Sequence, residues 1–347
     1  MPFRRLLPLP TLLLSALAGA IEFSELQSGV WAALQPADNR FNDCNSLLVE
    51  AHDYVVVIDA QESRADVQAI IDFAKNTIRK PVRYLVNTHW HGDHTQGNTL
   101  YLQAFGEKLT ILGHVTQAVD IPERAASAHA ERVAELQQQL PAAREQLDTG
   151  IKLDGGRFSD QELAAQTARV DRAQAWLDAN LDTNFTGPTL TINGVYSVDA
   201  GDAMFTIYPQ RGHTRGDLIV HFPKLRILAA GDLVDVMPYS GHGYPREWLA
   251  ALQFIGTLDF SIIVPGHGPA LDDRVLIASL SAYFESLTRQ VSTLAGKGMD
   301  LEEIRESIDL SESRELLAGN DTAAGNFFDR VQGEAIERAY AEVAGSE

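Results

Sequence analysis

The sequence predicts a layered α/β fold in which helices cover the faces of sheets. Three observations carry this: short runs rich in Val, Leu and Ile recur in both halves of the chain; helical stretches alternate with them; and a long strand-poor segment separates the two halves. With 347 residues, 45% of them hydrophobic, the chain is long enough to bury a substantial core, which excludes wholesale disorder. No uninterrupted apolar run reaches the roughly eighteen residues of a membrane span, which excludes a multi-pass membrane protein. Lys and Arg total 28 against 47 Asp and Glu, a formal charge of −19. Such a surface repels phosphate backbones, so nucleic acid is not an expected partner.

Taken in order, residues 1–20 read as a removable export signal. Arg4 and Arg5 precede the mostly apolar Leu6–Leu17, and Ala18-Gly19-Ala20 offers small residues for cleavage. The expected location is the periplasm, with no membrane attachment after cleavage. Loss of the two arginines would take the charge from −19 to −21. Cys44 is the single cysteine, so no intramolecular disulfide forms; it is expected to pack as a small residue near the start of a strand.

Val30–Leu34, Ser46–Glu50 and Tyr54–Asp59 read as strands, with Ala51-His52-Asp53 turning between the last two. Val67, Ile70, Ile71 and Ala74 mark a helix over Arg64–Ile78. Val82–Asn87 is a strand that runs into a histidine-rich loop; a helix near Gln96–Phe105 and a strand at Leu109–Leu112 follow. Residues 115–184 are rich in Ala, Gln, Glu and Arg and suggest helices at Glu123–Leu147 and Ser159–Leu181, joined through Asp154-Gly155-Gly156. Pro141 is expected to kink or split the first of these. The pair reads as a helical hairpin inserted into the fold, serving as a lid, a contact between copies in a homo-oligomer, or surface padding. Strands return at Thr189–Ile192, Met204–Tyr208, Asp217–His221, Arg226–Ala230 and Ser261–Val264, with a helix at Arg246–Leu258 and mostly helix thereafter. The expected organisation is a core domain of residues 21–114 and 187–299, an insertion at 115–186 and a helical segment at 300–347.

The chemistry concentrates at strand ends. Asn87-Thr88-His89-Trp90-His91-Gly92-Asp93-His94 follows a predicted strand. In extended chain, residues i and i+2 project to one side, so His89 and His91 can converge on one ion, while Asp93 and His94 face a second point nearby. Imidazole suits zinc and similar ions, and a neighbouring carboxylate adds charge compensation. Gly212-His213, Gly231-Asp232 and Gly266-His267-Gly268 repeat the pattern of a strand ending in a ligand-capable residue beside glycine. Seven such residues suffice for two metals sharing a bridge, where a mononuclear site needs three or four.

His-x-His-x-Asp-His with the later His, Asp and His resembles the metallo-β-lactamase-fold hydrolase superfamily, over about Gly29 to Leu287. The resemblance implies a four-layered αββα sandwich with the metals at one edge. It implies that His89, His91 and His213 hold the first metal, that Asp93, His94 and His267 hold the second, and that Asp232 bridges. Asp59 matches a carboxylate that supports the metal loop without ligating. The implied cofactor is two Zn²⁺ per chain, with iron or manganese as alternatives. The implied reaction is hydrolysis of a small ester, thioester or lactam by a metal-bridging hydroxide, with Asp93 orienting it or taking its proton. β-Lactamases with a metal-binding cysteine carry it where Asp232 stands; glyoxalase II-type thioesterases have a glutathione-binding tail not identified here; ribonucleases of the superfamily need basic patches that this charge argues against. The overall pattern is similar to periplasmic hydrolases associated with sulfur or quinoprotein oxidation systems. The alternatives are class B β-lactamase-like activity, an iron-dependent persulfide dioxygenase using His89, His91, His213 and Asp232, and a non-catalytic metal-stabilised binding protein.

Substrate contacts are expected in the loop after Asp232, where Tyr239 and His242 could donate to a substrate anion, and where Met237, Tyr244 and Trp248 are further pocket candidates. His114 is a weaker candidate near the site. His52, His129 and His221 read as surface or packing residues.

Overall fold

The computed structural model describes residues 21–345 except 38 and 237. The expected export signal and Met237 lie outside the described residues. Strand-forming sequence is gathered into two sheets. The first holds β1 (Glu22–Gln27), β2 (Val30–Leu34), β3 (Ser46–Glu50), β4 (Val55–Ile58), β5 (Val82–Val86), β6 (Thr110–His114) and β7 (Leu190–Ile192) in chain order. Its pairing is antiparallel from β1 to β4 and parallel from β4 to β7. The second holds β8 (Tyr196–Val198), β9 (Phe205–Gln210), β10 (Asp217–Phe222), β11 (Ile227–Gly231) and β12 (Ile262–Pro265), ordered β12-β11-β10-β9-β8.

Alternation along the strands decides which layer each side chain joins. Val49, Val56, Val86 and Leu112 of the first sheet meet Phe205, Ile207, Val220 and Ala229 of the second in one buried cluster between the sheets. Their neighbours Leu48, Val57 and Leu85 face outward onto Val67, Ile70 and Ile71 of α1 (Arg64–Asp72) and Tyr101 of α3 (Asn98–Phe105). Ile219, Leu228 and Ile263 of the second sheet likewise face α7 (Pro245–Thr257) and α8 (Val275–Ala295) through Trp248, Leu252 and Phe284. The result is helix, sheet, sheet, helix: the four-layered sandwich that the resemblance implies. α9 (Leu301–Ser307), α10 (Ser311–Ala318) and α11 (Thr322–Ala344) add Ile304, Ala318 and Phe328 to the same outer cluster as Trp248. The C-terminal helices therefore share the core of the second sheet.

Several expectations need correction. β1 and β8 have no counterpart in the sequence reading, because Glu22, Ser24, Glu25 and Gln27 make β1 largely polar and β8 is three residues long. The expected helix at Gln96–Phe105 begins earlier, as α2 (Gly92–Thr95), and resumes as α3. Between them a Cβ on Gly97 would lie 2.2 Å from the Ala60 carbonyl oxygen. Helix α1 continues as a π-helical turn through Ile78, so the predicted span holds with a wider last part.

In the insertion, a short α4 (Gln117–Asp120) and a π-helical turn lead into α5 (Ala126–Thr149), and Ser159 with Glu162 forms a capping box at the start of α6 (Asp160–Asn180). Pro141 sits inside α5 without splitting it. Leu140 there packs with Val170 and Leu177 of α6, and this contact holds the helix together where the proline removes a backbone donor.

Candidate metal centre

The histidine-rich loop leaves the C-terminal end of β5, His213 sits between β9 and β10, and Asp232 and His267 follow β11 and β12 directly. These loops meet. Nε2 of His213 lies 3.0 Å from Nδ1 of His91 and 3.3 Å from Oδ2 of Asp232. Nε2 of His89 lies 3.7 Å from the same Asp232 oxygen. On the other side, Asp93 Oδ2 is 3.3 Å from His94 Nε2 and 3.2 Å from His267 Nε2. Asp232 Oδ1 faces this second group, 3.1 Å from His94 Nε2 and 3.6 Å from His267 Nε2. The seven predicted residues thus form two adjoining nests, and Asp232 presents one carboxylate oxygen to each.

Satisfaction suits a cation, and so does the charge state of five of the seven groups. The other two, His94 and His267, are held well above the usual imidazole range, against their burial, by their acidic neighbours, and would release a proton on ligation. His89, His91 and His213 are driven below the usual imidazole range by burial, His213 to about 4, so each offers a neutral lone pair. Burial would raise Asp93, but His94 and His267 outweigh it and hold the carboxyl well below its ordinary value. Asp232 is likewise lowered against its burial by His94, His267, His89 and His213. Nε2 of His89, Nε2 of His94 and Oδ1 of Asp232 are buried with no hydrogen-bond partner. Buried polar atoms are rarely left so, and cations held in the two nests would satisfy all three. The donor set fits a metal.

A family model described as the metallo-beta-lactamase superfamily matches residues 39–267. The chain belongs to the metallo-beta-lactamase superfamily. The type 2 metallo-beta-lactamases of Bacillus cereus and of Bacillus sp. (strain 170) are each 32% identical to it over 82 residues, 22% of this chain and 32% of theirs. The matched stretch therefore spans about a third of these curated relatives. A solved metallo-beta-lactamase from Erythrobacter litoralis shares the fold with a TM-score of 0.51 at 18% identity, covering 76% of this chain and 96% of that one. The stereoselective inverting sec-alkylsulfatase Pisa1 from Pseudomonas sp. gives a TM-score of 0.59 at 15% identity, covering 94% of this chain and 50% of its own. At these identities the structures speak to the fold alone. Members of the superfamily are hydrolases, and this chain carries the His/Asp metal-binding cluster of such a fold.

Each nest is braced from behind. Asp59 Oδ2 accepts from His94 Nδ1 at 2.8 Å and from Thr88 Oγ1 at 2.8 Å, while Asp59 Oδ1 accepts from the Thr88 backbone at 2.7 Å. His213 Nδ1 donates to Tyr239 O and His267 Nδ1 to Arg40 O, each at 3.0 Å. Such contacts fix ring orientation and leave the opposite nitrogen for a metal. Asn45, unremarked in the sequence, donates to Pro265 O and Gly268 O and so fixes the His267 loop. Close approach also demands glycine: a Cβ on Gly266 would stand 1.9 Å from Asp232 Oδ1.

Beside the nests lies a cleft of about 330 Å³ whose lining includes His91, Asp93, Asp232 and His267. Tyr239 and His242 line it, but both are engaged: Tyr239 hydrogen-bonds Glu334, and His242 Nδ1 lies 2.9 Å from His91 Nε2. Two other pocket candidates lie elsewhere. Trp248 is fully buried against Phe284 and the His213 ring, and Tyr244 sits beneath Arg211. His114 is buried beside Thr116, off the cleft. His52 is exposed and His221 bonds Asp259 O, as expected, whereas His129 joins the cleft lining. Cys44 is buried just before β3 and donates to Asp93 O at 3.1 Å, with burial pushing its thiol up to about 12.

Proposed function

We propose that this chain is an exported zinc hydrolase that holds two metals and cleaves a small ester, thioester or lactam. The observation that carries the reading is the Asp232 carboxylate, which divides its oxygens between two His/Asp nests. His89, His91 and His213 would hold one ion, Asp93, His94 and His267 the other, and Asp232 both. When bound there, zinc supplies Lewis acidity and a water acidic enough to act as nucleophile at neutral pH.

The protein's own residues do the rest. Asp93, ionised and lining the cleft, is placed to orient the attacking water. Cys44, buried and protonated, is not a nucleophile. Asp235 adds a carboxylate to the cleft lining beside Asp93 and Asp232, which disfavours polyanionic substrates such as phosphodiesters. Asp232 occupies the place that a metal-binding cysteine takes in the β-lactamases that have one, so lactams are a lesser part of the range.

The test is to strip the protein with chelator, reload it with zinc, and assay a panel of ester, thioester, lactone, lactam and phosphodiester substrates. Turnover of carbonyl substrates that chelation abolishes, zinc restores and Asp232→Ala eliminates is the expected result. A single bound iron with oxygen consumption and no hydrolysis would overturn it.

A further inference from the structure

We propose that the base of the α5–α6 hairpin is the specificity wall of the cleft and forms a subsite for an uncharged aromatic or bulky apolar group of the substrate, an inference that rests on the cleft being the site of a hydrolase. The wall is a run of rings. Phe185 packs against Trp90, Ile121 and Ala125. The His129 ring lies 5.2 Å from Phe185 and 5.4 Å from Trp176, all three lining the cleft. Phe41 and Phe327, stacked at 5.3 Å, line it as well, as do Asp93, Asp232 and His267. A substrate whose reacting group reaches these ligands therefore has its remainder among aromatic faces. Trp176, His129 and Phe185 are only partly buried, so their surface is available for contact.

The wall is anchored rather than swinging. Glu62 Oε1 accepts from Trp176 Nε1 at 2.7 Å and pairs with Arg132 at 3.3 Å. Gln96 donates to Asn180 Oδ1 at 2.6 Å, and His129 Nε2 donates to Asn180 O at 2.9 Å. Gln96 ends the short helix that bears Asp93 and His94, so hairpin and metal loop are positioned together. The Arg132 guanidinium lies 3.9 Å over the Trp176 ring and is paired with Glu62. It is therefore committed within the wall, which favours an apolar group over a carboxylate or phosphate there.

The experiment titrates the metal-free full chain with N-phenyl-1-naphthylamine, a neutral aromatic probe that brightens in apolar sites. Wild type is expected to bind it, and Trp176→Ala or, independently, Phe185→Ala to weaken binding at least about fivefold with circular dichroism unchanged. In the zinc-loaded protein, 4-nitrophenyl phenylacetate should exceed 4-nitrophenyl acetate in kcat/KM by about tenfold, and Trp176→Ala should remove that preference through KM. Equal probe affinity in wild type and both variants would overturn the subsite. Absence of any ester turnover in wild type would instead contradict the hydrolase reading, and the probe titration would still decide the subsite.

Discussion

At the strand ends, His89, His94 and His213 are each at most 1% exposed, and every one has a ring nitrogen within 3.7 Å of the Asp232 carboxylate. In the hairpin, by contrast, Leu140 is the buried residue among the 24 of α5, and Val170, Leu177 and Asn180 are those among the 21 of α6. The first region stacks polar groups in the protein interior, where each must be matched or left at a cost. The second is solvated helix with a thin apolar seam. Chemistry that needs fixed donors sits inside the sandwich, while the hairpin is attached to it at its base, through Gln96 and Glu62, and is otherwise solvated.

The contrast can be broken from either side. The largest effect is expected from His91→Ala, which should lower kcat/KM by at least the roughly 10²–10³-fold that losing one preorganised electrostatic group costs, with the fold intact by circular dichroism. Next, Leu177→Ala should destabilise the hairpin by about 2–3 kcal/mol, seen as faster hydrogen exchange along α6 with metal content unchanged. If metal were lost with it, the two regions would not be independent.

Asp59→Asn leaves the nests' own atoms in place and disturbs the contacts of Asp59 with His94 and Thr88 behind them. It should weaken metal affinity by about 10–100-fold, measured by competition with a chromophoric chelator. The smallest effect concerns Asp217, whose carboxylate accepts from the Thr214 amide and hydroxyl beside His213. Burial raises it to about 7, from 3.8 in the unfolded chain. Between those values the folded state binds the extra proton, so this group's contribution to stability falls as pH rises through the window. Asp217→Asn should remove up to about 1.4 kcal/mol per pH unit from that slope, read from urea unfolding at a series of pH values.

The legible part of the molecule follows the same division. The motif from His89 to His94 is readable because its spacing is local, and His213, Asp232 and His267 because each stands beside glycine at a strand end. The sandwich follows from the short runs rich in Val, Leu and Ile at β3, β4, β10 and β11, mixed with helices in both halves. What the sequence conceals depends on which distant surface a side chain meets. Trp176, His129 and Phe185 look like ordinary hairpin packing until the hairpin's base is seen against the metal loop. Trp248 has the composition of a pocket residue and fills the core instead. Asn45 acts through two backbone carbonyls more than two hundred positions away, and no local pattern announces that.

The most direct test of the account is the metal content of the protein purified without added ions, compared with Asp232→Ala. A shared carboxylate predicts about two metals per chain in wild type and depletion of both in the variant. One metal per chain, with Asp232→Ala unchanged, would contradict it.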